Sequence, residues 1–263
     1  MIQSIPFSEI PLDAFPEPYH DVIALSYLQR QPESAQALAE LDQTYAVYHP
    51  NTGFCLSTAT TSSLEPWATW LYENRIPLIA GELGLHFKLL QTIGQVVPET
   101  APTQVLCRYE AQDFCFQSSP LPVLAHGLTV RQADVSDLDK LFYFYKRSEG
   151  MEARSIESLK QTIKQDKLFY IQKMGKIISA ALTHCETDQA ALIGGVYTPP
   201  AYRGKGYGKA CVHGLLAALK AEGKTPCLFY EKHNAPAKAL YTGLGFVPHG
   251  EWLIAELIYQ AQN

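Results

Sequence analysis

Residues 194–246 read GGVYTPPAYRGKGYGKACVHGLLAALKAEGKTPCLFYEKHNAPAKALYTGLGF, and this stretch decides the fold. A near-continuous apolar run over 190–198 predicts a strand that is buried on both faces. After Pro199 and Pro200 comes a glycine-rich turn and then a helix with apolar residues on one face. Glycines adopt backbone angles closed to other residues, so several N–H groups of such a turn can point into one concavity, and the helix N-terminus adds its own unpaired amides. The stretch therefore predicts a cradle for a pyrophosphate.

The spacing of the turn separates three nucleotide-binding motifs. A Walker A loop requires Ser or Thr after Gly-Lys, where this chain has Ala210. A dinucleotide fingerprint requires a third glycine where the chain has Lys209. The pattern Arg-x-x-Gly-x-Gly does fit, through Arg203, Gly206 and Gly208.

A second motif follows at a fixed place downstream. A predicted strand over 226–231 leads to Asn234, then to a helix that carries Tyr241, and then to Gly245-Phe246. The two motifs, in this order and with these elements between them, resemble the GNAT superfamily of acyl-CoA-dependent acyltransferases over residues of about 127–260. The wording of the turn also resembles predicted bacterial two-domain GNAT proteins, and glycine N-acyltransferase-like enzymes share that layout.

The resemblance implies an α+β fold, in which a mixed and mostly antiparallel sheet is flanked by helices. It also implies that the strand before the turn diverges from its neighbour and that the freed backbone groups bind the pantetheine arm of acetyl-CoA. The implied cofactor-binding residues are Val196, Tyr197, Thr198, Arg203, Gly204, Lys205, Gly206, Tyr207, Gly208, Lys209, Asn234 and Tyr241.

The expected chemistry is attack of an amine on a thioester. Tyr241 is the candidate general acid, because a phenol near the sulfur can protonate the leaving thiolate; packing on a helix face is the alternative. Asn234 binds pantetheine amides, caps the helix, or does both. The strand over 190–198 has no acidic residue, so the general base must lie elsewhere. Glu149, in the loop between the first two helices of the C-terminal half, is the first choice over Glu152.

Two further residues remain candidates for the base, namely Glu231 and His233, and each of these four side chains is also explained as a solvated surface group. The predicted function is transfer of an acetyl or other short acyl group to a small-molecule or peptide amine. A non-catalytic acyl-CoA sensor is the alternative. Neither the acceptor nor the oligomeric state is written in the sequence.

Composition and charge exclude several classes. The chain of 263 residues is 47% hydrophobic and 18% charged, as expected for a globular protein. Net charge is −5, which argues against a nucleic-acid partner. No run reaches the ~18 apolar residues of a membrane span, and the N-terminus lacks the pattern of a signal peptide, so we expect a cytoplasmic protein without a membrane partner. The six cysteines are scattered without zinc spacing, so no metal is predicted.

Charge and proline content both divide the chain. Residues 1–126 carry 4 Lys and Arg against 13 Asp and Glu, whereas residues 127–263 carry 17 against 13. Twelve of the 17 prolines precede residue 127. This asymmetry fits two domains of different pI, and it also fits a basic half that holds an anionic cofactor. We predict an N-terminal α/β domain at 1–118, a linker at 119–127 and a GNAT domain at 128–263.

The N-terminal domain carries no catalytic motif. Hydrophobic periodicity predicts helices at about 20–30, 33–43, 64–74 and 82–93. Trp67 and Trp70 share the spacing of a buried helix face, which favours core packing over an aromatic ligand site. The two-domain resemblance implies that this half is a degenerate GNAT-like module.

Overall fold

A computed structural model describes residues 1–11, 13–40, 44–96, 128–148 and 151–259, together with the backbone of 103–114. The chain forms two compact units. The first comprises Met1–Ala111, Tyr230–Asn234 and Pro248–Asn263, and the second comprises Gln112–Phe229 and Ala235–Val247. The predicted linker lies almost wholly outside the described residues, and the predicted domain boundaries stay a prediction. The last segment of the chain groups with the first unit.

The described residues form twelve strands and seven α-helices. The strands are β1 (Ile2–Ile5), β2 (Gln36–Glu40), β3 (Tyr45–His49), β4 (Gly53–Leu56), β5 (Leu78–Glu82), β6 (Thr103–Phe114), β7 (Val130–Gln132), β8 (Leu168–Lys173), β9 (Lys176–Glu186), β10 (Ala190–Tyr197), β11 (Thr225–Glu231) and β12 (Phe246–Leu257). The helices are α1 (Val22–Arg30), α2 (Glu65–Glu73), α3 (Leu83–Val96), α4 (Leu138–Tyr145), α5 (Ile156–Gln165), α6 (Tyr207–Ala221) and α7 (Ala235–Thr242).

The first unit is built on a sheet with the strand order β1-β2-β3-β4-β5-β12. Its pairs are antiparallel except for β4 with β5. The core lies between this sheet and α2 and α3, where Trp67 is fully buried and packs against Phe54 with ring centroids 5.6 Å apart. Trp70 packs partly buried against the same core. The interpretation of both tryptophans as core residues is therefore confirmed.

The helix predicted at about 33–43 is wrong, because Gln36–Glu40 forms strand β2. The segment is rich in alanine, leucine and glutamate, which favour helices. However, β2 pairs with β1 on one side and with β3 on the other, and four of its five residues are buried. Strand pairing and burial on both faces outweigh the local preference, and only the tertiary structure supplies them.

The second unit has the strand order β11-β10-β9-β8-β7. Its pairs are antiparallel except for β10 with β11. Helices α4 and α5 cover one face, where Leu141, Tyr145 and Leu159 pack on Ala180 and Leu182 of β9. Both units thus combine a mostly antiparallel sheet with helices, so the predicted α+β class is confirmed.

The helices of the second unit begin where the sequence supplies caps. Ser155 is the N-cap of α5, and its side chain accepts a hydrogen bond from the Ser158 N–H. Asp134 accepts from the Ser136 N–H and caps the short 3-10 turn Val135–Asp137 that precedes α4. Within the described part of the chain, no helix is long and apolar enough to cross a membrane.

Candidate acyl-CoA site

Strand β10 is irregular over its last four residues. Its parallel pairing with β11 ends at Ile193 and Leu228 within the described residues, and its register with β9 shifts between Gly194 and Tyr197. Gly195 has a φ of 56°, which favours glycine, and its carbonyl accepts a hydrogen bond from the Tyr145 hydroxyl at 2.8 Å. From Gly194 onward, the backbone groups of β10 that face away from β9 have no strand partner among the described residues, so an extended ligand can pair with them.

The glycine-rich turn follows directly. Gly204 and Gly206 have φ values of 74° and 76°, and Gly206 is the N-cap of α6. The first bond of this helix runs from the Ala210 N–H to the Gly206 carbonyl at 3.0 Å. The amides of the preceding three residues are therefore the unpaired donors that every helix N-terminus presents. Together with the helix dipole they favour an anion at this point.

The cations of the turn are available for such an anion. Arg203 and Lys205 are exposed, and Lys209 is half-buried. The Arg203 Nε donates to the Thr198 carbonyl at 2.9 Å, which holds this side chain at the end of β10. Across the described residues, no carboxylate lies within ion-pair distance of any of the three. Their charge therefore remains for a ligand.

Gly208 sets the distance between helix and strand. A Cβ added to it would lie 3.3 Å from the Thr198 Oγ1 and 3.9 Å from the Val196 Cγ1. The Thr198 hydroxyl is held in turn by the Ser179 hydroxyl at 2.8 Å. The structure thus brings the predicted residues 196–198 and 203–209 together, with the first turn of α6 against the end of β10.

Tyr197 is held by helix α4 and not by the turn. Its hydroxyl donates to the Arg147 carbonyl at 2.8 Å, and its ring lies 5.3 Å from that of Phe144. The Tyr197 side chain is therefore occupied by packing, and its backbone is the part that remains for a ligand. Tyr207 is buried beneath the turn.

The other predicted residues lie on separate elements. Tyr241 on α7 is 7% exposed and meets Phe246 edge-on, with ring centroids 5.7 Å apart. Asn234 is exposed just before α7, its N–H donates to the Glu231 carbonyl at 2.8 Å, and it groups with the first unit. Glu152, Glu231 and His233 are exposed. Glu149 lies outside the described residues.

Sequence reasoning missed His184, which lies on β9 beside the irregular segment of β10 from Gly194 to Tyr197, called the bulge below. Residues 177–186 of β9 are buried except for His184, which is exposed and lies on the same face as Leu182. A Cβ on Gly194 would fall 2.1 Å from the His184 Nε2, so the imidazole occupies the space that this glycine leaves open. The imidazole is solvent-accessible although much of its environment is protein.

Charge and desolvation keep this imidazole neutral. The surrounding protein lowers the pKa of His184 to about 4, and the Arg154 guanidinium adds to the effect. Arg154 is half-buried and donates from Nε to the Ser158 hydroxyl at 3.2 Å. A single histidine in an apolar strand gives no signal in the sequence, and the only hint is the pair of glycines opposite it in β10.

Comparison with known proteins relates this geometry to a family. Residues 174–253, which include the bulge, the turn and Tyr241, match the family model described as FR47-like protein. A tandem GNAT protein from the clavulanic acid biosynthesis pathway aligns over 100% of this chain and 99% of its own, with a TM-score of 0.61 and 10% identity. The fold of the whole chain is therefore that of a tandem GNAT protein, and residues 174–253 are similar to FR47-like proteins.

Other solved structures show the same fold over the whole chain. A GCN5-related N-acetyltransferase from Sphaerobacter thermophilus covers 100% of this chain and 97% of its own chain, with a TM-score of 0.63 and 14% identity. A Drosophila protein covers 98% of both chains with a TM-score of 0.71 and 15% identity. At these identities the likeness concerns the fold, and it agrees with two GNAT-like halves.

Among curated proteins, this chain is similar to a mycothiol acetyltransferase from Segniliparus rotundus. The two are 28% identical over 173 residues, which is 57% of this chain. The match spans 63% of the length of that relative.

Proposed function

We propose that this chain is a member of the GNAT superfamily and an N-acyltransferase that moves an acetyl or other short acyl group from acyl-CoA to a small-molecule or peptide amine. The observation that carries the proposal is the N-terminus of α6 against the unpaired end of β10. The helix N-terminus offers unpaired amides and cations without a carboxylate partner among the described residues, which suit a pyrophosphate. The end of β10 offers an unpaired strand edge, which suits the pantetheine arm, so the two parts of acyl-CoA would meet these groups in the right order.

The turn fits the anionic part of this co-substrate. The amides of Tyr207, Gly208 and Lys209 precede the first bond of α6, and Arg203 and Lys205 stand exposed beside them. These three backbone donors fix the position of a pyrophosphate, while the two long side chains neutralise its charge. Val196 and Thr198 would then contact the pantetheine arm, whose amides can pair with the free edge of β10.

The bound thioester supplies an activated acyl group that an amine can attack directly. We assign to Tyr241 the proton that the leaving sulfur takes up when the carbon–sulfur bond breaks. Its ring is held by burial and by Phe246, so few rotamers are open to the hydroxyl. A group fixed in this way loses little entropy when the transition state forms.

The attacking nitrogen must lose a proton, and we assign this step to Glu149. His184 suits a different task. With a pKa of about 4 it is neutral near pH 7 and a weak base, so it is poorly matched to take a proton from an ammonium. Its lone pair can still accept a hydrogen bond from the amine. We therefore assign to His184 the orientation of the acceptor beside the bulge of β10.

These assignments separate in kinetics. Glu149→Gln should lower kcat by roughly ten-fold or more, because it removes a general base. His184→Gln should mainly raise KM for the amine, because it removes a binding contact present before the chemical step. A fall in kcat for His184→Gln together with an unchanged Glu149→Gln would reverse the two roles.

The assignment of Tyr241 is tested by Tyr241→Phe. We expect kcat to fall by roughly ten-fold or more while the Kd for acetyl-CoA stays within about two-fold, because only the acid is lost. Tyr143→Phe is the matched control, since Tyr143 is 67% exposed on α4. An unchanged kcat for Tyr241→Phe would remove this residue from the role.

The function as a whole is tested by calorimetry with acetyl-CoA and by CoA thiol release over a panel of amines. Binding together with turnover of at least one amine is the expected result. Binding without turnover on any amine would instead indicate an acyl-CoA sensor, and no binding would contradict the proposal.

A further inference from the structure

Three metal-ligating side chains meet in the first unit. Glu17 and His20 belong to the turn before α1, and His249 lies on β12. One nitrogen of each imidazole and one carboxylate oxygen all lie within 4.8 Å of one another. The two imidazoles are 5.1 Å apart between ring centroids, and the His249 Nε2 is 3.7 Å from the Glu17 Oε2.

The shortest of these separations is close to that of two ligands on a single ion. Two atoms that each bind zinc at 2.0–2.1 Å in a tetrahedral site lie about 3.3 Å apart. The observed nitrogen-to-oxygen distance exceeds that value by a few tenths of an ångström, which rotation of the exposed Glu17 side chain can supply. The same distance is too long for a direct hydrogen bond between the two groups.

His20 supplies a second, independent observation. Its Nε2 is buried and has no hydrogen-bond partner among the described residues. A buried polar atom without a partner is unfavourable, and the large majority of buried polar atoms in folded proteins have one. A bound cation would satisfy this nitrogen.

The local backbone prepares the site. A Cβ on Gly250 would lie 2.6 Å from both the Nε2 and the Cε1 of His20, so this glycine lets the imidazole lie against β12. The turn is braced by Asp21, whose carboxylate accepts from the Glu17 N–H at 3.1 Å and from the Thr58 hydroxyl at 2.6 Å. The positions of Glu17 and His20 are thus held by neighbours that are not ligands.

We propose that Glu17, His20 and His249 bind a divalent transition metal ion, with Zn²⁺ as the preferred ion. Imidazole nitrogens favour Zn²⁺, Ni²⁺ and Cu²⁺ over Mg²⁺ and Ca²⁺, and three protein ligands leave one tetrahedral position for water. The ion would link the turn before α1 to β12, two elements that lie far apart in the sequence. Because binding would occur only in the folded chain, Zn²⁺ would stabilise the first unit. This proposal is independent of acyl transfer.

The test uses the full chain, freed of metal and titrated with Zn²⁺ by calorimetry and with Co²⁺ by visible absorption. We expect one equivalent to bind, a Co²⁺ spectrum of a nitrogen-and-oxygen site, and a higher urea midpoint with Zn²⁺. His249→Gln should weaken Zn²⁺ binding by at least ten-fold and abolish the shift in midpoint. His49→Gln is the control, because His49 belongs to the same unit but pairs with Ser34 at 2.8 Å.

Two more variants guard against misfolding. Glu17→Gln changes an exposed carboxylate and should weaken Zn²⁺ binding with little effect on the metal-free midpoint. Gly250→Ala displaces the His20 ring without removing a ligand and should weaken binding as well. Zn²⁺ binding that is equal in wild type, His249→Gln and Glu17→Gln would overturn the proposal and indicate surface histidines only, as would the lack of binding in the wild type.

Discussion

Gly208→Ala should affect protein stability and acetyl-CoA binding in opposite ways, because the helix favours alanine at this position whereas a bound ligand would require glycine. Gly208 lies in the first turn of α6, and glycine is less favourable than alanine inside a helix by about 0.8–1.0 kcal/mol. The added methyl would lie 3.3 Å from the Thr198 Oγ1, a tight contact that a small shift relieves. We therefore expect the free energy of unfolding to stay constant or to rise by at most about 1 kcal/mol.

Binding of acetyl-CoA should respond in the opposite direction. The methyl would enter the space between the first turn of α6 and the end of β10, where the proposed pyrophosphate and pantetheine arm approach the backbone. We expect the Kd to rise at least ten-fold, equivalent to about 1.4 kcal/mol. Calorimetry gives the Kd and urea unfolding gives the stability. A Kd within two-fold of wild type at unchanged stability would refute the placement of the ligand at this helix.

Gly204→Ala is the matched control for that variant. Gly204 has a φ of 74°, and a Cβ there would meet no atom within 4 Å. This change should lower stability by about 1–2 kcal/mol through backbone strain alone. We therefore expect the two alanine variants to change stability in opposite directions. This comparison distinguishes a steric effect on the ligand from weaker binding that is caused by destabilisation of the turn.

Two further predictions concern stability. His86 is fully buried, its Nε2 accepts from the Leu56 N–H at 3.1 Å, and burial lowers its pKa from 6.5 to about 4. Since the unfolded chain binds the proton at higher pH, the free energy of unfolding should fall by about 3 kcal/mol as pH drops from 6.5 to 4. The dependence of the unfolding free energy on pH should be less steep in His86→Gln. Equal dependence in wild type and variant would contradict this. Glu186, 3% exposed, bonds Lys167 at 2.8 Å. Glu186→Gln should lower the free energy of unfolding by about 3 kcal/mol, whereas Glu157→Gln, at an exposed position, should lower it by less than about 0.5 kcal/mol. Equal effects of the two variants in urea unfolding would contradict this.

Local sequence determines the part of the site that was predicted. The turn and the start of α6 follow from Gly204 and Gly206, whose conformations depend on their own backbone freedom and on neighbours within a few residues. The same is true of α5, which begins at the Ser155 cap. Features of this kind are encoded over short distances, so spacing alone places them.

The features that sequence reasoning missed depend on contacts between distant residues. The strand at Gln36–Glu40 is imposed by pairing on both sides, against its helical composition. His184 becomes a site residue only because Gly194 leaves room for its ring in the neighbouring strand. His20 meets His249 only after β12 joins the first unit, so no spacing of histidines could reveal the cluster.

The central claim is that the turn at α6 holds the pyrophosphate of acyl-CoA and that Tyr241 serves the departing sulfur. A crystal structure with acetyl-CoA bound tests it most directly. We predict pyrophosphate oxygens within hydrogen-bond distance of the amides of Tyr207 and Gly208, and the thioester sulfur within hydrogen-bond reach of the Tyr241 hydroxyl. A pyrophosphate bound away from this turn, or a sulfur directed away from Tyr241, would contradict the account.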